Sequence, residues 1–476
     1  MMTTHPSTPT ASKRIATIDV MRAIIMLLML FVNDIPGVDG LPHWLGHAET
    51  EEDMLGFSDI VFPGFLFCVG MSIPFAMQSR LRKTAGNVLG VLRHVLDRTV
   101  ALVVMGLFTL NACKTGLFML LMTVGFFLVW LNYDKGPAML KGVPQKVLKG
   151  LGIALLFAIM LHYDAIGKPF HTGWWGILGL IGWAYLVSAV LYLLTRSRLR
   201  YTLCAWGAVV LLCIINAQGG IIPEQYFSRN IFLPFWPGGW THPALVMSGM
   251  VASLLLHRMA TSGQHRHIFP VFVAMAMVAG LCTLVSHHFW IISKNLATPT
   301  WLFICLVILF IATPCVHWLV DEKGKSAWFN VIAPAGTATL TCYALPFFWY
   351  AFKQMWEFQL LPAEWNHGLI GIAASIIFSL IIIQITRLLL RFHLQLKVSF
   401  LSSHRSHRSH RVFFSGRKIS QMLYGFCGRR GHMDIDKRKK LTPNRSLGLS
   451  RPNDRFGVKD KEWQKCRLNS LTSLTS

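Results

Sequence analysis

The chain has 476 residues, 53% of them hydrophobic and only 14% charged, with a mean hydropathy of +0.49. A soluble domain carries about 25% charged residues to wet its surface, so the composition excludes a soluble enzyme, a disordered chain, a coiled coil and a disulfide-stapled secreted module. The net charge of +24 does not mark a nucleic-acid binder, because residues 401–476 alone hold 18 Lys and Arg against 5 Asp and Glu.

In chain order, residues 1–14 are polar and end in Lys13-Arg14. A spanning helix needs roughly 20 apolar residues, about 17 at the least. Apolar runs of that kind fall at 15–34, 58–79, 95–111, 116–132, 147–162, 174–194, 201–217, 242–258, 268–288, 300–320, 330–350 and 368–390. Three of these are short, so the expected fold is an all-α polytopic membrane bundle of 10–12 transmembrane helices. No small-x-small cleavage site follows the first run, which reads as an uncleaved helix rather than a signal peptide. Eight Cys lie in or beside the apolar runs without a C-x-x-C pair, as small buried hydrophobes do.

Placing the N-terminus in the cytoplasm puts 21 Lys and Arg on inner segments up to Lys397, against 5 on outer loops. The positive-inside rule then predicts N-in and C-in, hence an even number of spans. Three parts follow: a cytoplasmic segment 1–14, a membrane domain 15–397, and a basic tail 398–476 with no helical period. The tail repeats Ser-His-Arg three times over 403–411 and reads as disordered.

Acidic and polar groups are costly in lipid, so their positions carry information. The first outer loop holds Asn33, Asp34, Asp39, His43, His47, Glu49, Glu51, Glu52 and Asp53, with no Lys or Arg, and Asp59 opens the next helix. The plain reading is a solvated acidic loop, and the sharper one is an outward-facing reactive loop. Outer segments also collect His162, His171, His242, His287 and His288, with Trp44, Trp174, Trp175, Trp236, Trp240 and Trp290. An interfacial aromatic belt accounts for these Trp residues, and a sugar-stacking platform is the alternative. No H-E-x-x-H or comparable spacing points to a metal. Asp19 and Arg22 share a helical face at i,i+3, as a neutralising pair or as an anion contact. No Walker loop, Rossmann glycine pattern or G-x-S-x-G elbow occurs.

Several stretches resemble the heparan-alpha-glucosaminide N-acetyltransferase family, most nearly its bacterial relatives common in Bacteroidetes. These are Arg14-Ile-Ala-Thr-Ile-Asp19-Val-Met-Arg22, Phe31-Val-Asn33, His47-Ala48 and Gly56-Phe-Ser-Asp59-Ile-Val-Phe-Pro63 running on to Gly70. Weaker pieces are Trp175 to Trp183, Thr241 to Gly249 and Ile292-Ser-Lys294-Asn295-Leu296-Ala-Thr298. The resemblance spans roughly 14–395, and its specific part is the first 80 residues. It implies a multi-pass protein of the bacterial inner membrane that passes an acetyl group from acetyl-CoA, as co-substrate and with no metal, to an amino sugar or other periplasmic glycan. It further implies that the reacting His is His47, with Asn33 and Asp59 beside it. The phosphates of CoA call for a basic entrance: the run Arg80, Arg82, Lys83, Arg93 and Arg98 is one candidate, whose plain reading is topology alone, and Arg22 and Lys294 with its neighbour Asn295 are the deeper contacts expected. Asn33 would donate to the developing oxyanion and Asp59 would orient the imidazole. The expected partners are the lipid bilayer, acetyl-CoA and the glycan acceptor, with no nucleic acid; a homodimer is compatible with this. The chain departs from the family pattern at Ala23, at His171–Leu180, where Arg and Gln are lost, and at Ala297. A multi-pass sugar transporter and a catalytically decayed scaffold are the rival readings.

Overall fold

In the computed structural model, residues 16–136, 141–165, 170–171, 173–195, 198–217, 240–357, 362 and 366–398 are described. The segment 1–14 and the tail from 399 onward lie outside them. All described residues fall within one unit, Met1–Ser402.

The long helices are α1 (Ala16–Asp34), α2 (Phe57–Lys83), α3 (Val88–Ala112), α4 (Gly116–Trp130), α5 (Val143–Ala165), α6 (Gly176–Leu194) and α7 (Leu199–Ile215), followed by α8 (Thr241–Thr261), α9 (His265–His287) and α10 (Pro299–His317). Three short helices follow, α11 (Ala333–Thr337), α12 (Thr339–Ala344) and α13 (Pro346–Trp356), and then α14 (Gly368–Arg391). Among the described residues there is no strand beyond two isolated bridges. Among the described residues, eight helices are long and apolar enough to cross a membrane, and α4 and α7 are shorter apolar helices. The chain is an all-α, multi-pass membrane protein.

One expected span differs. The run 330–350 is not a single helix but a 3₁₀ turn, Ala327–Val331, followed by α11, α12 and α13. Pro334 and Pro346 each occupy a first-turn position of a new short helix, where the missing N–H costs nothing. Two other prolines, Pro63 and Pro74, are carried inside α2 without ending it, because neighbouring groups in a membrane bundle can satisfy the freed carbonyls.

The core is the crossing of α2 with α8. A Cβ on Gly70 would lie 1.8 Å from the Val246 carbonyl oxygen, and one on Gly249 would lie 2.0 Å from that of Phe67. The two backbones therefore touch, as small residues allow between membrane helices. α1 lies against α2 and α11, and α9 lies against α10.

Two loops meet at the end of the bundle where α1 and α9 finish and α2 and α10 begin. They are residues 35–56 and residues 288–298. At the opposite end, the start of α1 is tied to the end of α10. Ala16 and Thr17 donate their N–H groups to Asp321 Oδ1 and Oδ2, both at 3.0 Å.

Candidate active site

The start of α2 is built around close backbone contact. Gly56 caps the helix, and a Cβ there would fall 2.3 Å from the Gly46 carbonyl oxygen. Ser58 Oγ donates to the Leu45 carbonyl at 2.8 Å. These contacts fold the 3₁₀ turn His43–Leu45 and the following residues back over the helix, which brings His47 to Asp59.

Asp59 is buried, with 2% of its side chain exposed, whereas His47 is 43% exposed. His47 Nδ1 lies 2.7 Å from Asp59 Oδ1, and the Ala48 N–H donates to Oδ2 at 2.9 Å. Asp59 also stands four residues before Pro63. Proline has no N–H, so the Asp59 carbonyl loses its helical partner. The buried indole N–H of Trp301 on α10 takes that place at 3.2 Å. The Asp-x-x-x-Pro spacing thus exposes a carbonyl that a second helix caps, and it locks α2 to α10 beside the reactive loop.

The second loop supplies Lys294. Its Nζ is 3.1 Å from Asp59 Oδ1 and 2.8 Å from His47 Nδ1. The loop turns at Ala297, whose φ is +50°, and Thr298 caps α10 by accepting the Trp301 N–H. The first loop is clasped to the second loop and the end of α9 at four further points. Asp53 takes the Ile292 N–H at 2.8 Å and His287 Nε2 at 2.7 Å. Ser293 Oγ donates to the Thr50 carbonyl at 3.0 Å, and Asn295 Nδ2 to Thr50 Oγ1 at 3.2 Å. The His43–Glu52 contact at 2.6 Å stiffens the first loop from within.

The electrostatics follow from the burial. Desolvation pushes the Lys294 ammonium below the ordinary lysine value, with the neighbouring Asp59 carboxylate opposing that. Burial works to raise Asp53, but the Ile292 N–H and His287 outweigh it and hold the carboxyl below its ordinary value. His43 is raised by its hydrogen bond to Glu52.

Two proton arrangements are open to the His47–Asp59–Lys294 triangle. With Lys294 neutral, the imidazole donates Nδ1–H to Asp59 and Nε2 keeps its lone pair. With Lys294 charged, its ammonium donates to Nδ1 and to Oδ1 and the imidazole proton sits on Nε2, which leaves Nδ1 and Oδ1 as two acceptors 2.7 Å apart with no hydrogen between them. A carboxylate on one ring nitrogen fixes the ring and leaves the other nitrogen available for chemistry.

The sequence-predicted residues thus divide. His47, Asp59 and Lys294 form one cluster, and Asn295 beside it hydrogen-bonds Thr50 of the first loop. Asn33 is exposed at the end of α1, and no hydrogen bond ties it to His47 among the described residues. Arg22 is elsewhere. Its guanidinium donates to Ser72 Oγ at 2.5 Å and to the Gly336 carbonyl at 3.0 Å, with Asp19 at 3.6 Å. Ser72 and Asp59 lie on the same helix, and at 1.5 Å of rise per residue their levels differ by about 20 Å. Lys294 and Arg22 therefore do not share one site. Of the aromatic platform, Trp290 is buried at 7% exposure, Trp44 is 61% exposed in the turn preceding His47, and Trp236 lies outside the described residues. His242, from the outer histidine set, is buried between the rings of Phe62 and Trp301.

Sequence reasoning missed the role of Trp301 and the clasp of Asp53 with His287. The Asp59-to-Pro63 spacing was the only signal for the first, and nothing local signalled the second. Residues 14–229 match a family described as a domain of unknown function, DUF5009. That stretch runs from α1 through α7 and holds Arg22, Asn33, His47 and Asp59, while Lys294 and Asn295 lie beyond it. No curated protein matches the chain.

Proposed function

We propose that the protein is an acyltransferase of the bacterial inner membrane, N-in and C-in, which passes an acetyl group from acetyl-CoA to an amino sugar or other periplasmic glycan. The observation that carries this reading is the His47 imidazole, held through Nδ1 by the buried Asp59 and left open at Nε2. In the direct route, the acceptor amine attacks the thioester carbonyl and gives its proton to Nε2. The N–C bond forms, the C–S bond breaks, and the CoA thiolate leaves and is protonated. In the covalent route, Nε2 itself attacks, and an acyl-imidazole hands the acetyl group to the amine. General-base assistance of this kind is worth about 10²–10⁴ in rate. Trp44 offers the acceptor ring an exposed stacking face beside His47. Arg22 of α1, bonded to Ser72 about 20 Å along α2 from Asp59, is the proposed contact for the phosphates of an elongated donor. Asn33 is the proposed oxyanion donor, on the strength of the resemblance alone.

The test is transfer of radiolabelled acetyl from acetyl-CoA to glucosamine by purified protein. His47→Ala abolishes transfer while the protein still inserts and stays monodisperse in detergent. Label retained on the unmutated protein without acceptor distinguishes the covalent route. Full activity of the His47→Ala protein refutes the reading.

One observation favours a sugar transporter instead. The segment from Ala333 to Trp356 is a broken helix whose first two pieces, α11 and α12, pack on α1 and whose last, α13, packs on α4, and its Gly336 carbonyl accepts from Arg22. Broken helices line the binding sites of many transporters. Sugar counterflow in vesicles without acetyl-CoA supports that reading and sinks the first.

A further inference from the structure

At the end of the bundle opposite the reactive loop, three ligand-type side chains converge from two helices. His317 is the last residue of α10, and only 3% of its side chain is exposed. Its Nε2 is buried without a hydrogen-bond partner. Glu322 Oε1 stands 3.9 Å from that nitrogen and 4.0 Å from Nδ1 of His265, at the start of α9. One ligand atom from each of the three lies within 4.8 Å of the other two. These separations are too long for hydrogen bonds. They exceed the roughly 3.3 Å between neighbouring donor atoms of a tetrahedral ion with bonds of about 2 Å, so an ion there draws the exposed His265 and Glu322 side chains inward by about half an ångström or more toward the buried His317.

The backbone is shaped to make this cluster. After His317 the chain takes a π turn, Trp318–Glu322, closed by the Lys323 N–H on the Trp318 carbonyl at 2.9 Å. In a continuing α-helix, the residue five beyond His317 would point away from it. The π turn brings it back, so Asp321 and Glu322 both face the histidine. Such single-turn bulges recur at functional sites.

His317 is also oriented from behind. Asp321 Oδ2 lies 3.2 Å from Nδ1 and Thr17 Oγ1 3.1 Å from it. Asp321 is itself fixed by the first two N–H groups of α1. A carboxylate on Nδ1 sets the tautomer that leaves the Nε2 lone pair free, the arrangement that accompanies metal-bound histidine. A recess of about 320 Å³ with His265, Arg266, Trp318 and Glu322 among its walls opens the site to solvent.

We propose that His265, His317 and Glu322 form a binding site for a divalent transition-metal ion, of the zinc class, that clips α9, α10 and the start of α1 together. Two imidazoles and a carboxylate are a borderline donor set that selects zinc over calcium or magnesium. No local motif signals the site, because the ligands come from separate helices and one of them depends on a π turn.

The test is Zn²⁺ titration of the chelator-stripped full chain in detergent, read by competition with a fluorescent chelator. His404, His407 and His410 of the Ser-His-Arg repeat are replaced by Asn so that the tail does not compete. One ion per chain is expected, with a rise in the thermal midpoint on binding. Co²⁺ in place of Zn²⁺ should give the visible absorption of a low-symmetry site. His265→Ala and Glu322→Gln, both at the exposed rim, each weaken binding at least tenfold. Asp321→Asn weakens it about 10–100-fold, and His287→Ala leaves it unchanged. Absence of a stoichiometric site in the folded chain, or binding indifferent to both rim substitutions, overturns the proposal.

Discussion

Removing the Asp59 carboxylate tests the reasoning behind the site most directly. Asp59→Asn keeps the shape but leaves the Lys294 ammonium without its counter-ion. Removing one partner of a buried ion pair costs about 3–5 kcal/mol. Lys294 keeps 24% of its side chain exposed while Asp59 keeps 2%, which places the cost near the lower bound, about 3 kcal/mol. Lys294→Met removes the charge and keeps the stem. Asp59 then still holds the Ala48 N–H and His47, so the loss is smaller, about 2 kcal/mol, as for one hydrogen bond to a charged group. The double variant has no uncompensated charge, and its loss is about 3 kcal/mol rather than the sum of the two. The coupling is therefore about 2 kcal/mol, or roughly 30-fold in the folding equilibrium. The assay is reversible SDS-induced unfolding of the four proteins in dodecylmaltoside micelles, followed by circular dichroism and extrapolated to zero SDS. Losses that add within about 0.5 kcal/mol would refute a direct Asp59–Lys294 interaction.

Other outcomes follow from the same geometry. Trp301→Phe strands the carbonyl that Pro63 frees at Asp59, at a cost of about 1–3 kcal/mol, whereas Trp290→Phe serves as a buried comparison of equal size; equal losses in SDS unfolding would dismiss the capping role. Gly249→Val drives a side chain into the Phe67 carbonyl and should remove the monodisperse peak in fluorescence-detected size exclusion, while Gly207→Val, with open space around it, should not. Because the Asp53 carboxyl is held below its ordinary value, its clasp stabilises the loops above about pH 4 and is lost as the pH falls through the lowered value; hydrogen exchange at the Ile292 amide should lose its protection there, and Asp53→Asn should remove the pH dependence. If Nε2 of His47 is the base, the neutral Lys294 arrangement is the active one, so acetyl transfer should rise with pH as the depressed lysine deprotonates, and Lys294→Met should flatten that limb; an unchanged limb separates Lys294 from the proton balance.

The all-α membrane class was legible from composition alone, since 53% hydrophobic residues in runs of helical length can be buried only in lipid. Helix positions were legible for the same reason, and 16–34, 57–83 and 368–391 lie within a few residues of the apolar runs. The break at 330–350 was not, because an apolar run does not say whether a proline within it kinks a helix or starts a new one. His47 and Asp59 could be named together because they fall within one loop and its following turn. Lys294 could be named but not placed. Its partnership with them spans more than 230 residues and depends on which helix ends meet. Charge and hydropathy act locally and are written into the chain. The convergence of Lys294, Trp301 and His287 on the first loop and the start of α2, and of His265 with His317, is set by helix crossings such as that of α2 with α8 at Gly70 and Gly249. Only the packed bundle fixes those crossings.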